Sequence, residues 1–414
     1  QIVARQKDVP RLLQPALQRI KRIVELQGNR HGSMRRVAPV QGMRVWVGAL
    51  AGHDALPYGV PDLWSAGRTM ATVDVTVMGA GVIGLSIAWA CLQRGVRVQV
   101  IDPHGVASGA SGGIVGALAP HVPEQWNAKK EFQRDSLLMA PAFWEGVAQA
   151  SGLDTGYART GRLQPLVDAA AVTLAQTRAA GAAELWLGEA DWRIVPTSAE
   201  KWEPASPTGL LVQDTLTALI HPRQATLALA AAITAQGGEV LREGSPQGKV
   251  VWATGAAGLE EMTACHTRLV GAGVKGQAAL LRHDARGQPQ LFAGGLHIVP
   301  HMDGTVAIGS TTERDFDDAA ATDDQLEQLI AKARAALPLL QHAPVIARWA
   351  GVRPRSRSRA PMIGAHPFQL GAFVANGGFK IGFGMAPKIA QVMVALLIDG
   401  RNDIPEDLHP AASL

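Results

Sequence analysis

The chain has 414 residues, 47% hydrophobic and 18% charged, the balance of a globular protein with a sizeable core. No window approaches twenty uninterrupted apolar residues, so no membrane span is predicted. With only Cys91 and Cys265 a disulfide framework is not expected and a reducing cytoplasm fits. The net charge of +4 is uneven: residues 1–69 hold 11 Lys/Arg against 4 Asp/Glu, so the remainder is mildly acidic. The basic isoelectric point is then no reason to expect nucleic acid as a partner of the body.

Residues 1–69 read differently from the rest. Leu12, Leu13, Ala16, Leu17, Ile20, Ile23 and Val24 have helical spacing, and the remainder of the segment is punctuated by Gly, Arg and Pro. Met70 stands directly before a strand-like run. The expectation is a natural start at Met70, with 1–69 upstream or non-native sequence. A basic targeting or partner-binding arm and a small accessory domain are the alternatives. From there strands and helices alternate: strand 73–78, helix 82–94 ended by Gly95, strand 96–101, and a helix over 132–150 kinked or broken at Pro141. Residues 155–220 are mixed and rich in Trp. A helix over 224–236 comes after the turn His221-Pro222, then a strand over 250–253. Short strands fill 265–345, with a helix near 324–337. A strand at 373–375 and a helix over 385–397 close the chain. This alternation predicts a parallel sheet with helices on its faces.

Gly79-Ala80-Gly81-Val82-Ile83-Gly84 fits G-x-G-x-x-G between a strand and a helix. The first glycine allows the tight turn, the second lets backbone approach a pyrophosphate, and the third lets helix pack on sheet. The helix N-terminus offers free N–H groups to phosphate. Asp102 ends the next strand, where a carboxylate can accept from ribose hydroxyls. These features predict a dinucleotide site. A second small-residue loop, Ala107-Ser108-Gly109-Ala110-Ser111-Gly112-Gly113, and a later strand ending in Ala253-Thr254-Gly255 suit a long dinucleotide held across a sheet, hence FAD over NAD. A nicotinamide dehydrogenase is the weaker alternative.

At these residues the chain resembles the D-amino-acid oxidase superfamily of flavoproteins, which includes glycine and sarcosine oxidases. The resemblance covers about 70–414 and rests on motifs in the family's order. The glycine loop with Asp102 is similar to the FAD loop, where the family more often has Glu. The 107–113 loop, continuing through Gly116-Ala117-Leu118, resembles a flavin-contacting loop. It is also similar to the oxidase domain of a bifunctional enzyme that modifies a tRNA wobble uridine. Ala253-Thr254-Gly255-Ala256 matches the second FAD motif, and Lys275-Gly276-Gln277 resembles an R-G-Q turn. His297-Ile298-Val299-Pro300, Asp303-Gly304 and Ile308-Gly309-Ser310-Thr311 match a substrate-domain hairpin. Trp349-Ala350-Gly351-Val352-Arg353-Pro354 resembles W-A-G-L-R-P, and Gly377-Gly378-Phe379-Lys380 with Ala386-Pro387 looks like the C-terminal motif. Gly378 stands where the family usually has His. Lys380 is Arg in glycine oxidases and Lys in sarcosine oxidases. The segment between Gly238 and Val250 is too short for the β-meander that walls the adenine in relatives.

The resemblance implies an α/β fold. Residues 70–150, 221–260 and 345–414 would form an FAD-binding Rossmann-like domain of the glutathione-reductase type. Residues 151–220 and 261–344 would form a second α+β substrate domain built on an antiparallel sheet. Expected FAD contacts are Gly79, Ala80, Gly81, Val82, Ile83, Gly84 and Asp102; Ser108, Ser111, Gly112 and Gly116; Ala253, Thr254 and Gly255; and Gly377, Gly378, Phe379, Lys380 and Ile381. Cys265 lies outside the places where relatives attach flavin, so FAD is expected to be non-covalent. No metal site is expected.

The implied reaction oxidises the C–N bond of glycine, a D-amino acid or an N-methyl amino acid. Hydride passes from Cα to flavin N5, the imine hydrolyses, and O2 or another acceptor takes the electrons. The protein's task is orientation and a dry pocket for the neutral amine, so an acid–base side chain is not obligatory. A carboxylate substrate needs a cation. Arg353 offers a bidentate partner and Lys380 a point charge, though Lys380 also suits flavin N1 or O2. The bland reading of both is a structural or surface charge. Arg355, Arg357 and Arg359 alternate like one solvated face, or a guide for an anionic or RNA-linked substrate. His121 is a candidate for the pocket roof, and His297 and His301 flank the hairpin; each is more often plain hydrogen-bonded structure. Trp186, Trp192 and Trp202 read as core. An oxidase of an aminomethyl-modified tRNA base, and a flavin-binding electron-transfer or assembly protein with little catalysis, stay open as alternatives. The expected partner is a small amino acid, with no membrane span and no nucleic acid; a homo-oligomer is compatible.

Overall fold

A computed structural model describes residues 72–198 and 201–414. The 1–69 segment and Met70, with the readings attached to them, lie outside the described residues.

The first sheet has six strands in the order Met362–Ala365, Phe373–Asn376, Lys249–Trp252, Val75–Met78, Val98–Ile101, Glu239–Leu241. Five run parallel, and Met362–Ala365 is an antiparallel edge. Val98–Ile101 is buried along its whole length, as a strand covered on both faces must be. Helices Val82–Leu92, Ala128–Ser151, Pro222–Ala235 and Gly382–Val394 pack on one another and on this sheet. Leu85, Ile87, Leu229, Ile233 and Ile389 are fully buried among them, each stabilising the fold by roughly 1.5–3 kcal/mol. No strand interrupts 242–248, so the segment joining Glu239–Leu241 to Lys249–Trp252 is a plain loop where relatives are expected to carry a meander.

The helix expected over 132–150 runs unbroken from Ala128 to Ser151 with Pro141 inside it. Asn127 starts it by accepting from the Lys130 amide. Leu137, Ala140 and Trp144, buried on either side of the proline, hold the helix together by tertiary packing. Pro222 opens the next helix rather than preceding it, the position where its missing N–H costs nothing. Gly382–Asp399 has the length and apolarity to cross a membrane. Its Met385, Ala386, Ile389, Ala390 and Met393 are nevertheless fully buried in the core.

The second sheet has eight strands in the order Val345–Ser356, Gly271–Arg282, Thr305–Gly309, Leu296–Pro300, Gln290–Ala293, Arg162–Pro165, Leu210–Asp214, Trp192–Pro196. All neighbours are antiparallel except Gln290–Ala293 with Arg162–Pro165. Helix Asp324–Ala336 covers one face with Leu326, Leu329, Ile330 and Ala333. The expected division puts 345–414 with the nucleotide-binding sheet. Val345–Ser356 instead pairs along its length with Gly271–Arg282. The chain crosses to the first sheet only after Ser356, because eleven paired residues of ladder outweigh the motif's position in sequence.

Candidate active site at the carboxyl edge of the parallel sheet

Parallel strands end at one edge, and that edge is where open α/β sheets bind ligands. Val75–Met78 delivers the glycine loop there, Val98–Ile101 delivers Asp102, Lys249–Trp252 delivers Ala253, Thr254 and Gly255, and Phe373–Asn376 delivers 377–381. Gly79 has φ +111°, and a Cβ on it would lie 2.4 Å from the Ala253 carbonyl oxygen. A Cβ on Gly84 would lie 2.2 Å from the Gly79 oxygen. Two motifs about 170 residues apart in sequence therefore touch through atoms that no other residue would leave room for.

The small-residue loop is folded onto the glycine loop. The Ala107 amide donates to the Ala80 carbonyl at 3.2 Å, and the Val82 amide donates to Ser111 Oγ at 2.9 Å. A Cβ on Gly81 would sit 3.1 Å from that same oxygen. Gly112 presses on the Ala107 carbonyl and Gly116 on that of Ile220; Ser108 is exposed between them. The Asp102 carboxylate accepts from the Ala80 amide at 2.8 Å and the His104 amide at 2.9 Å, which leaves lone pairs for further donors. Asn376 ties the C-terminal loop to the second motif, donating to the Gly255 carbonyl at 2.8 Å. The Ile381 amide closes that loop on Gly378 at 2.9 Å. The first turn of helix Val82–Leu92 holds no acid, so no side chain of the helix itself offsets its positive end. A glycine cradle, a helix N-terminus and a carboxylate one strand away fit the diphosphate and ribose of FAD.

Beside this edge the second sheet presents Arg353. Its side chain is buried and crosses Gly276, where a Cβ would lie 2.3 Å from Nη2. Nη1 donates to Ser310 Oγ at 2.6 Å, and Nη2 to the carbonyls of Thr311 at 2.8 Å and Lys275 at 3.1 Å. Nε has no partner. Every partner is neutral. Burial pushes the guanidinium down to about 10, so it stays charged at neutral pH. Lys380 reaches the surface and donates to Thr312 Oγ1 at 3.0 Å. Partial burial, then the nearby Arg353, push its pKa down. The Phe379 amide donates to the Pro354 carbonyl at 2.9 Å, so the C-terminal loop is clamped against the strand that carries Arg353.

Arg355, read as part of a solvated run, is half-buried against the Phe379 ring at 5.6 Å. Arg357 and Arg359 are exposed, because the strand ends at Ser356. Strand parity was the signal for Arg355: residues i and i+2 share a face. Ser310, Thr312, Gly276 and Asn376 were not picked out as site residues, though Ser310 and Gly276 stand inside quoted motifs.

His121 is held by Gln133, which accepts from both its amide and its ring. His301 is buried, with Nε2 at 2.8 Å from the Ile114 carbonyl. Burial holds His297 near 3, helped by Arg162 and Lys380, so it stays neutral; its Nδ1 lies 3.2 Å from Gln290 Oε1. Trp186, Trp192 and Trp202 are buried. Cys91 is buried and Cys265 exposed, both free.

The family model described as DAO, FAD dependent oxidoreductase, matches residues 74–396. Glycine oxidase of Geobacillus kaustophilus is 27% identical over 379 residues, 81% of this chain and 95% of its own. Glycine oxidase of Pseudomonas aeruginosa is 29% identical over 365 residues, 82% of this chain and 99% of its own. The tRNA 5-methylaminomethyl-2-thiouridine biosynthesis bifunctional protein of Maricaulis maris is 29% identical over 345 residues, 80% of this chain and 53% of its own. Among solved structures, Geobacillus kaustophilus glycine oxidase aligns with a TM-score of 0.69 at 21% identity, covering 80% of this chain and 96% of that one. Iminodiacetate oxidase from Chelativorans aligns at 0.71 and 18% identity, covering 81% and 98%. These likenesses establish a shared fold.

Proposed function

Because the chain belongs to the DAO family of FAD-dependent oxidoreductases, we propose that it oxidises the C–N bond of a small amino acid: glycine, a D-amino acid or an N-methyl amino acid. The observation that carries this reading is Arg353, a buried guanidinium with neutral partners only and a free Nε donor. A buried cation with no directly bonded acid is costly, and a substrate carboxylate is the partner its fork fits. Lys380 adds charge beside it, and Phe379 supplies an apolar wall.

Bound FAD, held non-covalently, supplies the two-electron acceptor, with O2 or another acceptor downstream. The 79–84 loop, Asp102, Ser111 and the 253–255 and 377–381 segments are the groups that hold it. The protein's own share is positional: Arg353 fixes the carboxylate, which fixes the direction of the Cα–H bond. Loss of hydride from Cα and a proton from nitrogen makes C=N, and water then releases an oxo acid and the amine. His297 stays neutral through burial first and nearby cations second. The cations Arg353 and Lys380 beside the site favour the deprotonated amine as substrate.

The test is anaerobic flavin bleaching by glycine, sarcosine, D-alanine and D-proline, at least one of which reduces the FAD-loaded protein. Arg353→Ala raises KM roughly 30-fold or more, the cost of removing one partner of a buried charge pair, and leaves the flavin spectrum unchanged. An unaltered KM removes Arg353 from the site. A competing reading, oxidation of an aminomethyl-modified tRNA base, draws on the likeness to the Maricaulis protein. Flavin reduced by such RNA but by none of the amino acids replaces the main reading.

A further inference from the structure

Three cations surround the Phe379 ring. Arg353 lies 5.5 Å from its centroid, Arg355 5.6 Å and Lys380 5.8 Å. None of the three has an ion-pair partner among the described residues. Arg353 is bound by a hydroxyl and two carbonyls. Lys380 holds one hydroxyl, and the half-buried Arg355 guanidinium has no hydrogen bond among the described residues. The three cations therefore share one ring, and no acid among the described residues pairs directly with any of them, although the Glu313 charge reaches Arg353.

Acids do stand close by, on the wrong side. In the ladder Arg353 faces Val274, and its guanidinium crosses Gly276. Lys275 and Gln277 alternate with these residues and fall on the opposite face. There Glu313 is 3.5 Å from Lys275 Nζ, accepts from Gln277 at 3.1 Å and is bonded by Thr311. Asp323 accepts from the same Gln277 at 2.8 Å. The acids nearest the site are thus engaged behind the sheet, where Glu313 offsets part of the Arg353 charge, and Arg355 and Lys380 carry the excess on the front face. The backbone makes this arrangement firm: the Phe379 amide is bound to Pro354, and Gly378 bridges to Arg355, so the ring is laid between the two guanidiniums.

One carboxylate answers one of these cations. We propose that the natural substrate carries two carboxylates around its oxidisable amine: an N-carboxymethyl amino acid or an acidic amino acid. Arg353 takes the carboxylate on the reacting carbon, and Arg355 with Lys380 takes the second. This rests on the amino-acid oxidation proposed above, and the redox step is the same; only the distal carboxylate is new.

The experiment compares matched pairs on the FAD-loaded protein: sarcosine against iminodiacetate, and D-alanine against D-aspartate, by anaerobic flavin reduction. The dicarboxylate member is expected to show a kcat/KM at least tenfold higher. Arg355→Gln is expected to shrink that ratio about tenfold. Perturbation of the flavin spectrum by malonate against acetate gives a readout without turnover, with malonate binding at least tenfold tighter. Reduction by both members with equal or reversed preference overturns the dicarboxylate proposal and leaves amino-acid oxidation standing. Reduction by none of the amino acids overturns both.

Discussion

Arg353 and Gly276 work as one unit. The guanidinium lies where a side chain on residue 276 would be, so the glycine provides a lane for the cation. Gly276→Ala is expected to displace Arg353 and cut kcat/KM roughly 100-fold, the usual effect of an ångström-scale misplacement, with flavin affinity unchanged. Measured KM and flavin titration separate the two. Lys380 contributes to the alkaline behaviour together with Arg353, whose guanidinium is pushed down to about 10. Its pKa is lowered, so its charge is present at neutral pH and lost as pH rises toward and below the ordinary lysine value of about 10.4. The alkaline fall in kcat/KM should therefore begin below that value and move upward in Lys380→Arg. A fall that does not move assigns the limb to another group.

At the scale of elements, the glycine loop, helix Val82–Leu92 and the 107–113 loop are bonded into one unit, the proposed anion cradle. Gly84→Ala drives a methyl to 2.2 Å from the Gly79 carbonyl, so helix and strand must separate. The FAD dissociation constant, read by flavin fluorescence, should rise by more than about tenfold, while Gly146→Ala in helix Ala128–Ser151, which meets nothing within 4 Å, should leave it unchanged. This cradle was legible in the sequence because its parts are close in the chain and each glycine has a local reason. Arg353 was legible through its motif. Its surroundings were not, since Ser310 lies 43 residues away and reaches it only through sheet register. Arg355 was misread for a related reason. Alternation gives 355, 357 and 359 the same face, but only residues up to Ser356 are strand, so the run divides between a wall and solvent. Pro141 misled in the opposite direction, because buried neighbours override a local break.

For the whole molecule, the two sheets meet where the C-terminal loop of one is hydrogen-bonded to the edge strand of the other. Most motifs that the sequence offered for FAD fall on the first sheet, its helices or its loops, while Arg353 and Arg355 fall on the second sheet and Lys380 on the C-terminal loop of the first. Everything in this arrangement lies within 79–381. A protein comprising 70–414 is therefore expected to bind FAD with the affinity of the full chain and to turn over the same substrates. Loss of flavin from that shorter protein would show that 1–69 contributes to the site.

The sorting of charge across the antiparallel sheet has a kinetic side. Lys275 and Glu313 are paired behind it and Asp323 shares Gln277 with Glu313, while Arg353, Arg355 and Lys380 have no ion pair among the described residues in front. The field on the front face is therefore positive and reaches solvent at Lys380. An anion drifting past feels that field within a Debye length, before any hydrogen bond can form. At low ionic strength an anionic substrate of the kind proposed above is expected to be gathered from a volume wider than the site itself, and added salt to narrow that reach.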